Sequence, residues 1–261
     1  MSVDRDELLE LALQGARRAG ELLLERFERP AVGVRSKSTH TDLVSDADRS
    51  SEALLVKLIT SKRPRDGIYA EEGGEGASES GLRWVIDPLD GTINYLFGIP
   101  IWSVSIAVED RHGGVVGVVH DPNRGETFTA TRGEGAFLNG ASIKVRERTD
   151  TSSALIGTGF SYNSRVRAVQ AQVLTRVLPY VRDVRRPGSA ALDLAYVACG
   201  RLDGFYEHTM ESYDKAAGVL LIQEAGGAVS ELPAPLGLSP GVIAAGSVLH
   251  EQLSLLVSDK E

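Results

Sequence analysis

Apolar residues recur at helical spacing over residues 4–28, at Leu8, Leu9, Leu11, Leu13, Ala16, Ala19, Leu22, Leu23 and Phe27, with charges filling the gaps. This spacing predicts a long amphipathic helix that ends at Pro30. The polar run over residues 35–42 predicts a loop. Ser45 and Asp46 then open a second helix, which Leu54, Leu55 and Leu58 carry towards Pro64. Ile68-Tyr69-Ala70 predicts a short strand that ends at Glu71-Glu72. Residues 73–81 are rich in Gly and Ser without periodicity, the pattern of a surface loop.

From Arg83 the rhythm is that of strands. Trp84-Val85-Ile86 is a short apolar run halted by Asp87-Pro88. Runs at 102–108, 115–120 and 127–131 follow, divided by Gly, Asn and Asp, and they predict an antiparallel meander. Residues 133–140 predict a turn leading into a hairpin. The second half alternates: strands are predicted at 154–158, 181–185, 204–207 and 242–245, and helices at 165–180, 189–199, 215–225 and 248–257. Such alternation argues for an α/β arrangement. A chain of 261 residues, 42% of them apolar, can bury one large core or two tightly joined ones. We expect a single domain, with an N-terminal α+β half over residues 1–150 and a C-terminal α/β half over 151–261.

Composition narrows the partners. The net charge is −8 and no basic patch stands out, so no nucleic-acid partner is expected. No apolar stretch reaches the roughly 18 residues of a spanning helix, so no membrane partner is expected either. An acidic balance does not exclude an anionic substrate, because bound divalent cations would dominate the local charge. The one cysteine, Cys199, cannot form an intrachain disulfide and fits a reducing compartment. Asp4, Arg5, Asp6 and Glu7 open the chain without the apolar region of a signal peptide, so a cytoplasmic location is expected.

Chemistry gathers at Asp87-Pro88-Leu89-Asp90-Gly91-Thr92. Two carboxylates three residues apart leave the end of a buried strand. Pro88 fixes φ between them, and Gly91 allows close approach of a ligand to the backbone. A helix starting near Asp90 to Thr92 would add free N–H groups that suit phosphate. A plain turn with an N-cap uses the same residues. Three further carboxylate positions favour the metal reading: Glu71 with Glu72 after a strand, Asp214 ahead of the small-residue helix Lys215-Ala216-Ala217-Gly218, and Asp48 in the acidic start of the second helix. Hard oxygen donors suit Mg²⁺.

Glu71-Glu72, the run Trp84-Val85-Ile86-Asp87-Pro88-Leu89-Asp90-Gly91-Thr92-Ile93-Asn94, and Tyr213-Asp214-Lys215-Ala216-Ala217-Gly218 resemble successive signatures of the inositol monophosphatase family. The likeness continues in Gly188-Ser189-Ala190-Ala191-Leu192-Asp193-Leu194, in Gly200-Arg201-Leu202-Asp203-Gly204-Phe205-Tyr206-Glu207 and in Glu224-Ala225-Gly226-Gly227, and it spans residues 12–255. The resemblance implies a layered α-β-α-β-α sandwich of the inositol monophosphatase and fructose-1,6-bisphosphatase type, usually a homodimer, with Mg²⁺ as cofactor and Li⁺ as inhibitor. Glu71, Asp87 and the carbonyl of Leu89 would hold one Mg²⁺; Asp87, Asp90 and Asp214 would hold a second. A third, weaker ion often shares the glutamate matching Glu71. Thr92, oriented by Asp48, would help activate the attacking water. Asp90 would also contact the substrate, and the amides of Gly91 and Thr92 would hold its phosphate oxygens. Gly188, Ser189, Ala190, Glu207 and Asp214 would line the pocket for its hydroxyls, with Lys37 on a nearby loop.

The implied activity is Mg²⁺-dependent hydrolysis of a small phosphate monoester, myo-inositol 1-phosphate, to inositol and phosphate. The same chemistry on fructose 1,6-bisphosphate, histidinol phosphate or a nucleotide 3′-phosphate is the alternative, and a regulatory or interaction role on the same fold is another. Tyr213 stands where the family usually has Trp, Ala70 replaces a frequent Gly, and His208-Thr209-Met210-Glu211 departs from the usual segment. The last departure bears on the identity of the substrate. His208 itself is expected to pack rather than to ligate.

Overall fold

The first amphipathic pattern forms helix α1 (Arg5–Phe27), which buries Leu8, Leu11, Ala12, Ala16, Ala19 and Leu23 along one stripe. The structure is a computed structural model and describes residues 4–27, 34–36, 43–233 and 240–258. Strands β1 (Arg35–Ser36) and β2 (Leu43–Val44) pair antiparallel. Helix α2 (Asp46–Lys62) begins at a capping box: Ser45 Oγ accepts from Ala47 N at 3.2 Å, and Asp48 Oδ2 accepts from Ser45 N at 2.9 Å.

The larger sheet has eight strands: β3 (Gly67–Ala70), β4 (Gly74–Glu75), β5 (Arg83–Asp90), β6 (Ser103–Asp110), β7 (Gly113–Asp121), β8 (Glu126–Thr131), β9 (Gly135–Leu138) and β10 (Ala141–Ile143). Their spatial order is β10-β9-β8-β7-β6-β5-β3-β4, and only β3 and β5 run parallel. Short helix α3 (Thr92–Leu96) leaves the end of β5. The second sheet joins β11 (Leu155–Thr158), β12 (Asp183–Arg185), β13 (Gly204–Glu207), β14 (Ala228–Leu232) and β15 (Gly241–Ala245) in the order β12-β11-β13-β15-β14. Helices α4 (Ser164–Val177), α5 (Ala190–Ala198), α6 (Ser212–Glu224) and α7 (Ser247–Val257) complete the chain.

Three apolar clusters define five layers. Trp84, Ile86, Val104 and Ile106 pack with α1 and α2 on one face of the large sheet. Val85, Ala107, Val119 and Phe128 on its other face pack with α5 and α6, which also meet Phe205 and Ala244 of the second sheet. Ile156, Tyr206 and Ile243 turn outward onto Val173 and Val177 of α4 and Leu249 and Leu253 of α7. This is the α-β-α-β-α sandwich. Because β5 is covered on both faces, its Trp84-Val85-Ile86 stretch reads as a continuous apolar run rather than an alternation.

Several local expectations are corrected. β5 does not stop at Asp87 but continues to Asp90, and a register shift against β6 between those residues accommodates Pro88. Residues 35–36 are strand rather than loop, and β4 lies within the predicted loop at 73–81. α6 begins at Ser212, so Asp214 lies inside its first turn. α4 ends at Val177 and a 3₁₀ turn, Leu178–Tyr180, finishes the predicted helix. β14 has no counterpart in the sequence reading: it is an edge strand, and its Ala228-Val229-Ser230-Glu231 stretch is only half-buried or exposed.

Candidate active site

The bulge in β5 turns the backbone so that Asp87 Oδ1 accepts from Leu89 N at 3.0 Å. The carbonyl of Pro88 is held by Ser51 Oγ of α2 at 2.8 Å. Gly91 has φ of +96°, and a Cβ there would sit 3.0 Å from the Ile101 carbonyl oxygen and 3.2 Å from Trp102 Cα. Left-handed backbone and crowding both demand glycine at this turn. Thr92 Oγ1 then lies 2.9 Å from Asp48 Oδ1 and 3.0 Å from the Leu89 carbonyl oxygen. Asp48 is fully buried, and its other oxygen is held by Ser45, so its orientation is fixed from both sides.

Asp90 reaches across to the second half of the chain. It accepts from the Ser189 hydroxyl, from Ala190 N at 3.1 Å, from Ala191 N at 2.9 Å and from Ser103 Oγ at 3.3 Å. Three of these donors form the start of α5, where free amides and the helix dipole favour a carboxylate. Asn94 Nδ2 donates to the carbonyls of Ile101 at 2.8 Å and Pro187 at 2.7 Å, which pins the turn before Gly188. Asp214 Oδ2 accepts from Glu211 N at 2.7 Å.

Burial pushes the Asp87 carboxyl well above the usual range, and the charges of Glu71, Asp90 and Asp214 push it further. Burial raises Asp214 as well, followed by Asp90, Glu71 and Glu207. Burial raises Asp90 in spite of its four donors. Burial pushes Glu207 up to about 7 against the pull of Arg186. Asp90, Glu207 and Asp214 line a cavity of about 260 Å³, whose walls also include Glu71, Ser189 and Tyr213. A pocket so rich in carboxylates suits a cation and a ligand that donates hydrogen bonds.

A profile of the inositol monophosphatase family matches residues 4–260. The chain belongs to this family. It is 41% identical over 226 residues to the Nus factor SuhB of Escherichia coli (strain K12), covering 86% of this chain and 85% of that protein. The crystal structure of extragenic suppressor protein suhB from Bartonella henselae superposes with a TM-score of 0.91 at 35% identity, covering 98% of this chain and all of the other. The inositol monophosphatase from Anabaena (Nostoc) sp. PCC 7120 superposes with a TM-score of 0.85 at 35% identity, covering 97% and 96%. The family is generally metal-dependent and acts on small phosphate esters.

In this family member Gly91, Gly188 and Ala190 join the cavity wall with the carboxylates, whereas Asp48, Asp87, Leu89 and Thr92 are buried and do not line it. Lys37 lies outside the described residues. His208 is buried, and its carbonyl accepts from Gln170 Nε2. Three participants escaped the sequence reading. Ser103 donates to Asp90, Ser45 fixes Asp48, and Asp193 lines the cavity. Ser45 could have been found, since Ser45-x-x-Asp48 has the spacing of a capping box. The departing segment also forms cavity wall: Thr209, Met210 and Glu211 line it, and Thr209 takes φ of +61°, a conformation rare for a β-branched residue.

Proposed function

We propose that this chain is a Mg²⁺-dependent phosphomonoesterase that hydrolyses inositol monophosphate to inositol and phosphate. The observation that carries the reading is the buried Asp87, whose neighbouring charges are the carboxylates Glu71, Asp90 and Asp214. Such a cluster fits a divalent cation. Among the described residues no three His, Cys, Asp or Glu side chains are already gathered as a metal cage. Mg²⁺ suits that arrangement, because it takes one or two carboxylates and fills its remaining positions with water and substrate oxygens. Glu71, Asp87 and the Leu89 carbonyl would hold one ion; Asp87, Asp90 and Asp214 would hold a second; a third would share Glu71. Bound there, Mg²⁺ supplies Lewis-acid charge to the phosphate oxygens and acidifies nearby water.

The protein's own groups supply position and proton handling. Thr92 has one hydroxyl proton and two acceptors in reach. Giving it to Asp48 leaves the Leu89 carbonyl free for a cation and leaves a Thr92 lone pair for a proton of the attacking water. The water oxygen bonds to phosphorus, the ester P–O bond breaks, and the leaving oxygen takes a proton; no phosphoenzyme forms. The amides of Gly91 and Thr92 hold phosphate oxygens. Glu207 accepts from hydroxyls of the alcohol, in a wall shaped by Gly188, Ser189 and Ala190, and Lys37 is a further candidate substrate contact. Ser189 Oγ and Ala190 N already serve Asp90, so these two residues act on substrate through shape and carbonyl groups. We read residues 1–261 as one catalytic domain, working as a cytoplasmic homodimer that Li⁺ inhibits.

Purified protein with Mg²⁺ should release phosphate from myo-inositol 1-phosphate, and Asp87→Asn should abolish release. Inertness towards every phosphomonoester tested would sink the reading. Comparing kcat/KM with that for fructose 1,6-bisphosphate, histidinol phosphate and a nucleotide 3′-phosphate decides between substrates. The naming of relatives as Nus factors favours a second reading, a regulatory role on the same fold. That reading gains if Asp87→Asn and Asp214→Asn leave the cellular phenotype of the wild-type gene intact.

A further inference from the structure

Asp193 is a buried carboxyl at the cavity wall for which the mechanism above has no use. It lies in α5, four residues past the capping Ser189, and only 2% of it meets solvent. Its Oδ1 is closed off from water and has no hydrogen-bond partner. Capping of α5 is already supplied by Ser189, whose Oγ accepts from Leu192 N at 3.4 Å. A buried polar oxygen left unpaired costs stability, and such atoms persist where a ligand completes them.

Its neighbours point to the kind of ligand. After burial, the charge that acts most on Asp193 is Glu207. Gly159, just past β11, makes room for the Glu207 carboxyl, and Gly157 of β11 borders Asp193. A Cβ on Gly159 would lie 2.0 Å from Glu207 Oε2, and one on Gly157 would lie 3.7 Å from Asp193 Cβ. The two carboxyls therefore lie along one short run of chain, Gly157-Thr158-Gly159, and both reach the cavity. Arg186 is the one basic side chain among the described residues of that wall. Two neighbouring carboxyls on a wall that already carries Glu71, Asp90 and Asp214 favour a ligand that brings its own donors, as a polyol does.

We propose that Asp193 is a specificity residue: with Glu207 it forms a two-carboxyl subsite, and its carboxyl group pairs with a hydroxyl of the leaving alcohol remote from the ester. This rests on the phosphatase reading and assigns its leaving group to the polyols. Full-length wild type, Asp193→Ala and Asp193→Asn are assayed with Mg²⁺ on myo-inositol 1-phosphate and on phenyl phosphate, which has no hydroxyl. The ratio of the two kcat/KM values is the readout, since a merely structural role moves both together. Asp193→Ala should lower the ratio by about tenfold or more. Asp193→Asn, which keeps one acceptor and gains donors, should stay within about threefold of wild type. An unchanged ratio in Asp193→Ala overturns the proposal. Where the alanine variant does not fold, Asp193→Ser, which withdraws the polar atom from the cavity, reads the same ratio. If the wild type turns over neither ester, the phosphatase reading fails by itself. Calorimetric binding of free myo-inositol in the presence of inorganic phosphate then tests Asp193. Binding about tenfold weaker in the alanine variant supports the subsite, and equal binding or none to wild type overturns it.

Discussion

At the scale of single residues, buried carboxylates also hold parts of the fold away from the site, and Asp66, at the far end of β3 and β5, is the clearest. Its Oδ2 accepts from Arg63 Nε at 2.8 Å and Trp84 Nε1 at 2.9 Å, and its Oδ1 accepts from Ser80 Oγ at 2.6 Å. Burial alone would raise this carboxyl, but the Arg63 hydrogen bond and those from Ser80 and Trp84 outweigh it and hold it below the usual range. Asp66→Ala strands the Trp84 N–H and the Arg63 charge, and should cost about 3 kcal/mol in urea denaturation. The sign with pH follows. A carboxyl depressed in the folded state stabilises above its unfolded pKa, and that contribution is lost as pH falls through the lowered folded value. Below about pH 4 the wild type should lose stability faster than Asp66→Ala. Residues of this scale were unevenly legible. Asp87, Asp90 and Thr92 stood out because carboxylates, Pro and Gly rarely crowd a strand end without chemistry. Asp66 and Asp193 did not, because nothing local marks which isolated carboxylate will be buried.

At the scale of elements, the start of α5 carries two duties at once. Ser189 caps the helix and donates to Asp90. Ser189→Ala should therefore cost about 1 kcal/mol, a fall of about 2–4 °C in Tm. It should also lower kcat/KM about tenfold, because Asp90 loses a donor that sets its position. A variant that loses stability with kcat/KM unchanged would separate the two duties and leave Ser189 as a cap alone. Most elements were legible from periodicity. The exceptions have physical causes: β5 outlasts Pro88 because a bulge takes up the missing donor, and α6 starts early because Glu211 rather than Asp214 is its cap. β14 is an edge strand and need not alternate.

At the scale of the whole molecule, the five layers bring Glu71 of the first half beside Asp214 of the second. No local pattern encodes that meeting. It was legible only through the family's ordered motifs, because sheet order and layer stacking arise from contacts distant in sequence. The convergence of carboxylates has a thermodynamic signature. Mg²⁺ added to EDTA-treated protein should raise Tm by several degrees, since a cation that binds only the folded state stabilises it by about 2.7 kcal/mol at a hundredfold excess over Kd. In the Asp87→Asn, Asp214→Asn double variant the response should shrink to that of bulk salt. An equal rise in both proteins would place the Mg²⁺ effect elsewhere.

The reach of Asp90 to amides about 100 residues further along the chain sets an order on biosynthesis. When a ribosome has released only β1 to β10, Thr92 can already meet Asp48 and Leu89, because all three lie upstream. Asp90 then still lacks the amides of Ala190 and Ala191, and the Val85 and Ala107 face of the large sheet lacks its cover. Emergence of α5 supplies those amides, and α6, which follows it, completes the cover and brings Asp214. Catalytic competence and burial of the central layer should thus appear together during synthesis, so that a truncated nascent chain is inert and sticky for the same reason.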